Sequence, residues 1–178
     1  MRPPFLVSSF AHFVTSKTAA AACAGLLSLQ ANAAPSPCAQ EPYREFDFWV
    51  GEWDVRDAGG KPAGVNTISN EENGCVLVER WRSAAGGTGQ SYNYYDTAAG
   101  KWKQLWIGLG ILLHMEGGMS EGSMRLEGSL QYLGQSRVTR LRGTWTALPD
   151  GGVRQLFEES EDGGKTWTTW FDGYYTRR

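Results

Sequence analysis

Several things are scarce in this 178-residue chain, and each scarcity excludes a class of protein. It has no clean apolar run of about 20 residues, the length a membrane-spanning helix needs, so no membrane span is expected. Charge of one sign is also lacking: 17 Lys+Arg stand against 19 Asp+Glu, a formal charge of −2. That balance leaves no basic field to hold a nucleic acid. Beyond residue 33 two cysteines and one histidine, Cys38, Cys75 and His114, are separated too widely to make a good zinc set. Gly-rich phosphate loops and nucleophile-elbow sequences are missing. No metal and no cofactor is expected. Beyond residue 40 the only prolines are Pro42, Pro62 and Pro149, and no convincing helical period appears outside Glu41 to Phe48.

The first third of a hundred residues differ from the rest. Residues 1–33 hold Arg2 and Lys17 but no acidic residue, then a small and apolar run from Thr18 through Cys23 to Leu29. A basic start, a short apolar stretch and small residues at Ala31 and Ala33 make a secretory signal. Cleavage is expected after Ala33, which gives a periplasmic or secreted protein. Residues 34–44 read as a linker and 45–178 as one domain. Removing the signal also removes Cys23, so Cys38 and Cys75 remain as an even pair. In an oxidising compartment such a pair suggests a disulfide, with two buried thiols as the alternative.

What is abundant is glycine, with 23 residues, and aromatic side chains, with eight Trp. From Trp49 onward, residues alternate with period two and turn signals recur about every ten residues, which marks an all-β sandwich or barrel. Ten strands are expected: Glu52–Arg56, Gly64–Glu71, Cys75–Arg82, Gln90–Asp96, Lys101–Gly108, Ile111–Glu116, Ser123–Tyr132, Ser136–Thr146, Val153–Ser160 and Thr166–Arg177. Asn73-Gly74 is expected as a hairpin turn, since both residues tolerate positive φ. All three prolines fall in expected loops. Parallel pairing would need crossover helices, so the sheet should be antiparallel. Closure into an up-and-down barrel removes exposed edges, and a barrel of this strand number can leave interior space. A two-sheet sandwich is the alternative.

Alternation also assigns faces. Trp102, Gln104 and Trp106 share one face, as do Met124, Leu126 and Leu130, and Leu141, Gly143 and Trp145. Val153, Gln155 and Phe157 form another inward row. Trp167, Thr169, Phe171, Gly173 and Tyr175 form the last. Leu77, Glu79 and Trp81 are placed inward beside Ser91, Asn93 and Tyr95. The expected interior is aromatic and aliphatic with a few amides and one carboxylate, Glu79. Such a wall suits a small hydrophobic or amphipathic molecule. The residues expected to line a site are Glu79, Trp81, Asn93, Tyr95, Gln104, Trp106, Gln155 and Phe171. The bland alternative is that the aromatics simply fill the core.

Two local motifs stand out. Ser160, Asp162, Gly164, Thr166 and Trp167 match the Asp-box pattern known from sialidases, and a single box reads as a hairpin device. Gly51, Glu52 and Trp53 follow a short helical turn and open the first strand. This resembles the Gly-x-Trp signature of calycin barrels: lipocalins, fatty-acid-binding proteins and nitrobindins. The resemblance implies that Trp53 plugs the barrel floor with Arg177 or Arg178 packed over it. The wider order of Phe46 to Val55, Gly74 to Glu79, Ser91 with Tyr95 and Asp96, Trp102 with Gln104 and Trp106, and Phe171 to Gly173 with Tyr175 looks like a family of uncharacterised secreted bacterial proteins. That likeness implies a calycin-like barrel of about ten strands with a short N-terminal helix, and no established activity. Nitrobindin-like barrels hold haem through a histidine near the chain end, where this sequence has Tyr175. His114 shares its strand with Ile111, Leu113 and Met115 on the opposite face, so it is expected outside.

Three functions fit these residues. The leading one is an exported barrel that binds a small hydrophobic or amphipathic molecule, as a monomer or weak dimer. The second is a cofactor-free enzyme of isomerase or cyclase type using Glu79, whose pKa should rise among aromatics. The third is a filled-core envelope interaction module working through Tyr92, Tyr94 and Trp170.

Overall fold

The computed structural model describes residues 36–178; the signal-like segment lies outside the described residues. Ten strands follow one another: β1 (Gly51–Asp57), β2 (Pro62–Glu71), β3 (Val76–Ser83), β4 (Thr88–Asp96), β5 (Lys101–Gly108), β6 (Ile111–Ser120), β7 (Ser123–Tyr132), β8 (Arg137–Ala147), β9 (Val153–Ser160) and β10 (Thr168–Arg177). Each pairs antiparallel with its sequence neighbours, and β10 returns to β1 with Trp53 opposite Arg177, so the barrel is closed. The sandwich alternative falls away. Closure leaves no strand with a free row of backbone donors and acceptors.

Among the described residues helix is almost absent. Over Glu41–Phe48 the chain makes successive turns rather than a helix, ending in one 3-10 turn, Asp47–Trp49. Two further expectations need correction. Pro62 is the first residue of β2, a position where its missing N–H is tolerated. Asn73 and Gly74 belong to a wider turn that includes Glu72 and Cys75, so β3 starts at Val76. Three successive residues there, Glu72, Asn73 and Gly74, have positive φ.

The two barrel ends differ. One is closed by the segment preceding β1. Phe46 and Trp49 are fully buried and stack on each other with centroids 5.0 Å apart. Trp102 and Trp145 meet Phe46 edge-on at 5.7 and 5.3 Å. Trp53 donates its indole N–H to the Trp49 carbonyl at 2.9 Å. The Arg177 guanidinium lies over the Trp53 ring, 4.4 Å from its centroid, while Arg178 pairs with Asp54 outside. Of the two arginines, Arg177 is therefore the one on the plug.

The plug is tied down covalently. Cys38 and Cys75 form a disulfide that fastens the plug segment to the β2–β3 turn. Arg44 reinforces it with a 2.6 Å hydrogen bond to the Gly74 carbonyl, and Ser36 donates to the Asn73 carbonyl at 2.6 Å.

Candidate functional site

At the end opposite the plug the barrel is not filled. A cavity of about 230 Å³ opens there, between the mouth-side ends of β2, β3, β5, β9 and β10. Its walls are Trp81, Trp106, Leu113, Phe157 and Phe171, with Leu109 and Trp170 at the rim. Glu79, Gln104, Gln155 and Tyr175 lie among the lining residues on its inner side.

Glycines on neighbouring strands make the wall possible. A Cβ on Gly64 would stand 2.6 Å from the Trp81 ring, and one on Gly89 would stand 2.0 Å from the Trp106 ring. Each indole therefore lies across a strand position with no side chain. Leu109 holds a left-handed φ of 50° in the tight β5–β6 turn. That conformation costs a residue with a Cβ about 1–2 kcal/mol. Its side chain closes over Gly87, where no Cβ would fit.

Below the aromatic wall runs a continuous chain of hydrogen-bonded side chains. Gln104 donates to the Asn93 Oδ1 at 2.7 Å, and Asn93 donates to Ser91 at 2.8 Å and to the Leu77 carbonyl at 3.1 Å. Ser91 donates to Glu79 Oε2 at 2.7 Å. Asn66 donates to Glu79 Oε1 at 2.7 Å and reaches the Tyr175 hydroxyl at 3.4 Å. Tyr175 donates in turn to Gln155 Oε1. Two buried acceptors in this chain, Asn66 Oδ1 and Gln104 Oε1, have no partner among the described residues. A buried polar atom left unmatched costs about 1–3 kcal/mol.

Glu79 is 4% exposed and has no cationic partner among the described residues; it accepts from Asn66 and Ser91. Its neighbours Arg80 and Arg82 are exposed, and Arg80 bonds Ser69 and Glu71 outside. A second carboxylate also faces inward, one step beyond the Val153, Gln155 and Phe157 row: Glu159 accepts from Thr139 at 2.7 Å and pairs with Arg137 at 3.2 Å. Glu159 is compensated and Glu79 is not. Burial pushes the Glu79 carboxyl above the usual carboxylate range, and the Asn66 and Ser91 hydrogen bonds offset this only in part. Burial, and then the nearby Glu79 charge, likewise hold the Tyr175 phenol well above its usual range.

The pH consequence has a definite sign. Between the ordinary carboxylate pKa and the raised one, the folded protein binds a proton that the unfolded chain does not. The stabilisation is complete below the ordinary value and is lost as pH rises through the raised one. Glu79→Gln is therefore expected to gain stability relative to the parent as pH rises across that window. Urea denaturation of both proteins at several pH values checks this, and a constant difference would contradict it.

No family model and no curated protein matches the sequence. The likeness to calycins accordingly rests on the closed ten-stranded antiparallel barrel and the capped Trp53.

Of the eight residues expected to line a site, Glu79, Trp81, Gln104, Trp106, Gln155 and Phe171 line the cavity. Asn93 and Tyr95 do not. Asn93 is fully buried and supports Gln104 from beneath. Tyr95 stands at the plug end, edge-on to Tyr43 at 5.7 Å and Trp102 at 6.2 Å.

In β10 the register shifts between Thr169 and Phe171, with Trp170 as the extra residue. The bulge breaks the expected row: Thr169 is exposed, and Trp167 lies outside beneath Arg142, 4.3 Å from its centroid. Trp170, expected as a surface aromatic, stacks on Phe157 at 6.1 Å and borders the mouth. Tyr92 and Tyr94 are exposed on the outer face, as is His114.

The Asp-box is a hairpin device. Asp162 accepts from the Thr166 amide and hydroxyl, the Ser160 hydroxyl and the Lys165 amide, which hold its carboxyl far below the usual range. This turn fixes the start of β10 and hence the bulge. Asn66, Tyr175 and Phe157 complete the site. Phe157 and Tyr175 carried the inward alternation; Asn66 sits in a β2 stretch too polar to declare a face.

Proposed function

We propose that this protein is an exported β-barrel that binds a small hydrophobic or amphipathic molecule in the cavity above Glu79. One observation carries the reading: an open aromatic cup set on a hydrogen-bonded floor that still has unmatched acceptors. A purely structural core of this kind would leave two polar atoms unpaired, one of them on the cavity-lining Gln104, together with a void, each a cost without return. The apolar walls would supply contact area, and the floor would orient one polar group. The Cys38–Cys75 bridge supports export, since such bonds persist in oxidising compartments.

The test is native mass spectrometry of protein expressed from the full chain with export and purified without detergent. The expected spectrum shows residues 34–178, cleaved after Ala33, carrying a small organic adduct. Titration of the stripped protein with the uncharged dye phenylnaphthylamine is expected to quench Trp81 and Trp106 emission. A bare mass together with no dye binding would overturn the reading.

The buried, uncompensated Glu79 favours one second reading, a cofactor-free enzyme that uses this carboxyl to move a proton. Release of an altered molecule from the co-purified one, abolished in Glu79→Gln, would decide for it.

A further inference from the structure

We propose that the cavity takes a protonated hydrophobic amine, with Glu79 as its counter-ion. This rests on the ligand-binding reading and names the chemical class of the ligand.

The first argument is charge. No Lys, Arg or His is among the residues lining the cavity. The groups facing Glu79 are Asn66 from β2, Ser91 from β4 and, through Asn66, Tyr175 from β10. Gln104 and Gln155 lie further along the same chain. Among these only Tyr175 titrates, and its phenol stays neutral. A ligand carboxylate or phosphate entering here would meet the buried Glu79 with no cation to offset it, and two like charges cannot share such a site. A ligand cation would supply the missing partner and restore the ionised carboxylate.

The second argument is hydrogen-bond inventory. Most of the floor's donors are already committed. Asn66 and Asn93 each spend two, and Ser91 and Tyr175 spend their hydroxyl protons. The orphans are both carbonyl oxygens, Asn66 Oδ1 and Gln104 Oε1. With Glu79 ionised, flipping either amide would set oxygen against oxygen, at Glu79 for Asn66 and at Asn93 for Gln104, so in that state the network fixes their orientation. Among the floor's fully buried atoms the surplus is thus of acceptors, while the Gln155 amide nitrogen is a free donor at the cavity side. An ammonium carries three donors and no acceptor.

The third argument is the wall. Trp81, Trp106, Phe157 and Phe171 surround the same space. Ring faces attract cations, and Trp does so best. A wall of this kind accommodates an alkylammonium and its hydrocarbon together, where a hydrated inorganic cation would lose its water for too little.

The experiment ranks three ligands of one shape on protein expressed from the full chain: phenethylamine, phenethyl alcohol and hydrocinnamate. Each competes with phenylnaphthylamine at neutral pH, with calorimetry as a second readout. The amine is expected to bind at least about tenfold more tightly than the alcohol, reflecting a charge-assisted bond inside an aromatic cup. Hydrocinnamate is expected to bind weakest. Amine binding should release protons to buffer below the raised Glu79 pKa, and its affinity should rise with pH up to that point. In Glu79→Gln the amine-to-alcohol ratio is expected to collapse to about one. If that variant does not fold, the ranking on the parent protein decides alone. Equal binding of amine and alcohol, tighter binding of hydrocinnamate, or an unchanged ratio in a folded Glu79→Gln overturns the proposal. If the dye binds but no amine displaces it, the amine class falls while the ligand-binding reading stands. If the dye does not bind either, both fall.

Discussion

Replacing Trp145 with alanine is expected to remove about 3–5 kcal/mol from the free energy of unfolding, the usual cost of emptying a buried aromatic site. Trp145 is fully buried on β8 and joins the two halves of the interior. On the plug side its ring meets Phe46 at 5.3 Å and Trp49 at 5.7 Å. On the cavity side it meets Phe157 edge-on at 5.1 Å. Its indole N–H has no partner, so the substitution also removes one unmatched donor and the loss should sit toward the lower figure. Phe157 loses its lower support, so dye affinity should fall with stability. Urea denaturation followed by circular dichroism measures the first, and dye titration the second. A stability loss under about 1 kcal/mol would mean that the floor is not packed as described.

The second large effect concerns Cys38 and Cys75. Their bridge closes a loop of 37 positions. The chain-entropy argument gives about 4 kcal/mol for a loop of this length, and native bridges in small exported domains are commonly worth about 2–5 kcal/mol. The paired substitution Cys38→Ser and Cys75→Ser is expected to lose an amount in that range. Reduction of the parent protein should reproduce it. The bridge holds the plug segment rather than two strands, so the barrel wall should survive while Phe46 and Trp49 loosen first. Hydrogen exchange at Trp49 and Trp53, measured in the bridged and bridge-free proteins, separates these parts. Equal stability of the two would show that Arg44 and the aromatic stack hold the plug unaided.

Much of the barrel was legible because period-two alternation and turn composition act locally. The ten strands fall where the turns and prolines allow, and the inward rows of β5, β7, β8 and β9 follow from residues such as Trp102, Leu126, Trp145 and Phe157. Two things were not legible, for different reasons. The β10 bulge keeps the alternation intact on paper, because Trp167, Thr169 and Phe171 still form a regular series; only the Asp-box turn, which sets where β10 starts, breaks it. Height within the barrel was also hidden. Alternation says that Asn93 and Tyr95 point in, but not whether they stand beside the cavity or the plug. That depends on which end the segment before β1 fills, and this is settled by packing of Phe46 and Trp49 against Trp102 on β5 and Trp145 on β8. The hydrogen-bond partners of Glu79 are hidden for a similar reason. Its sequence neighbours Arg80 and Arg82 offered charge, yet Glu79 is satisfied across the sheet by Asn66 and Ser91.

The seam between β1 and β10 sets a clock on folding. Arg177 reaches back to the Val50 carbonyl across 127 positions of chain. Until the last strand arrives, β1 and β9 are bare edges, each able to pair with another molecule. A meander can zip its hairpins early, but this contact closes the longest loop and carries the largest entropic delay. A nascent chain therefore has no finished barrel to hide its aromatic interior until β10 is free to pair with β1. A chain ending at Trp167 would keep nine strands and leave β1 and β9 as open edges able to pair between molecules.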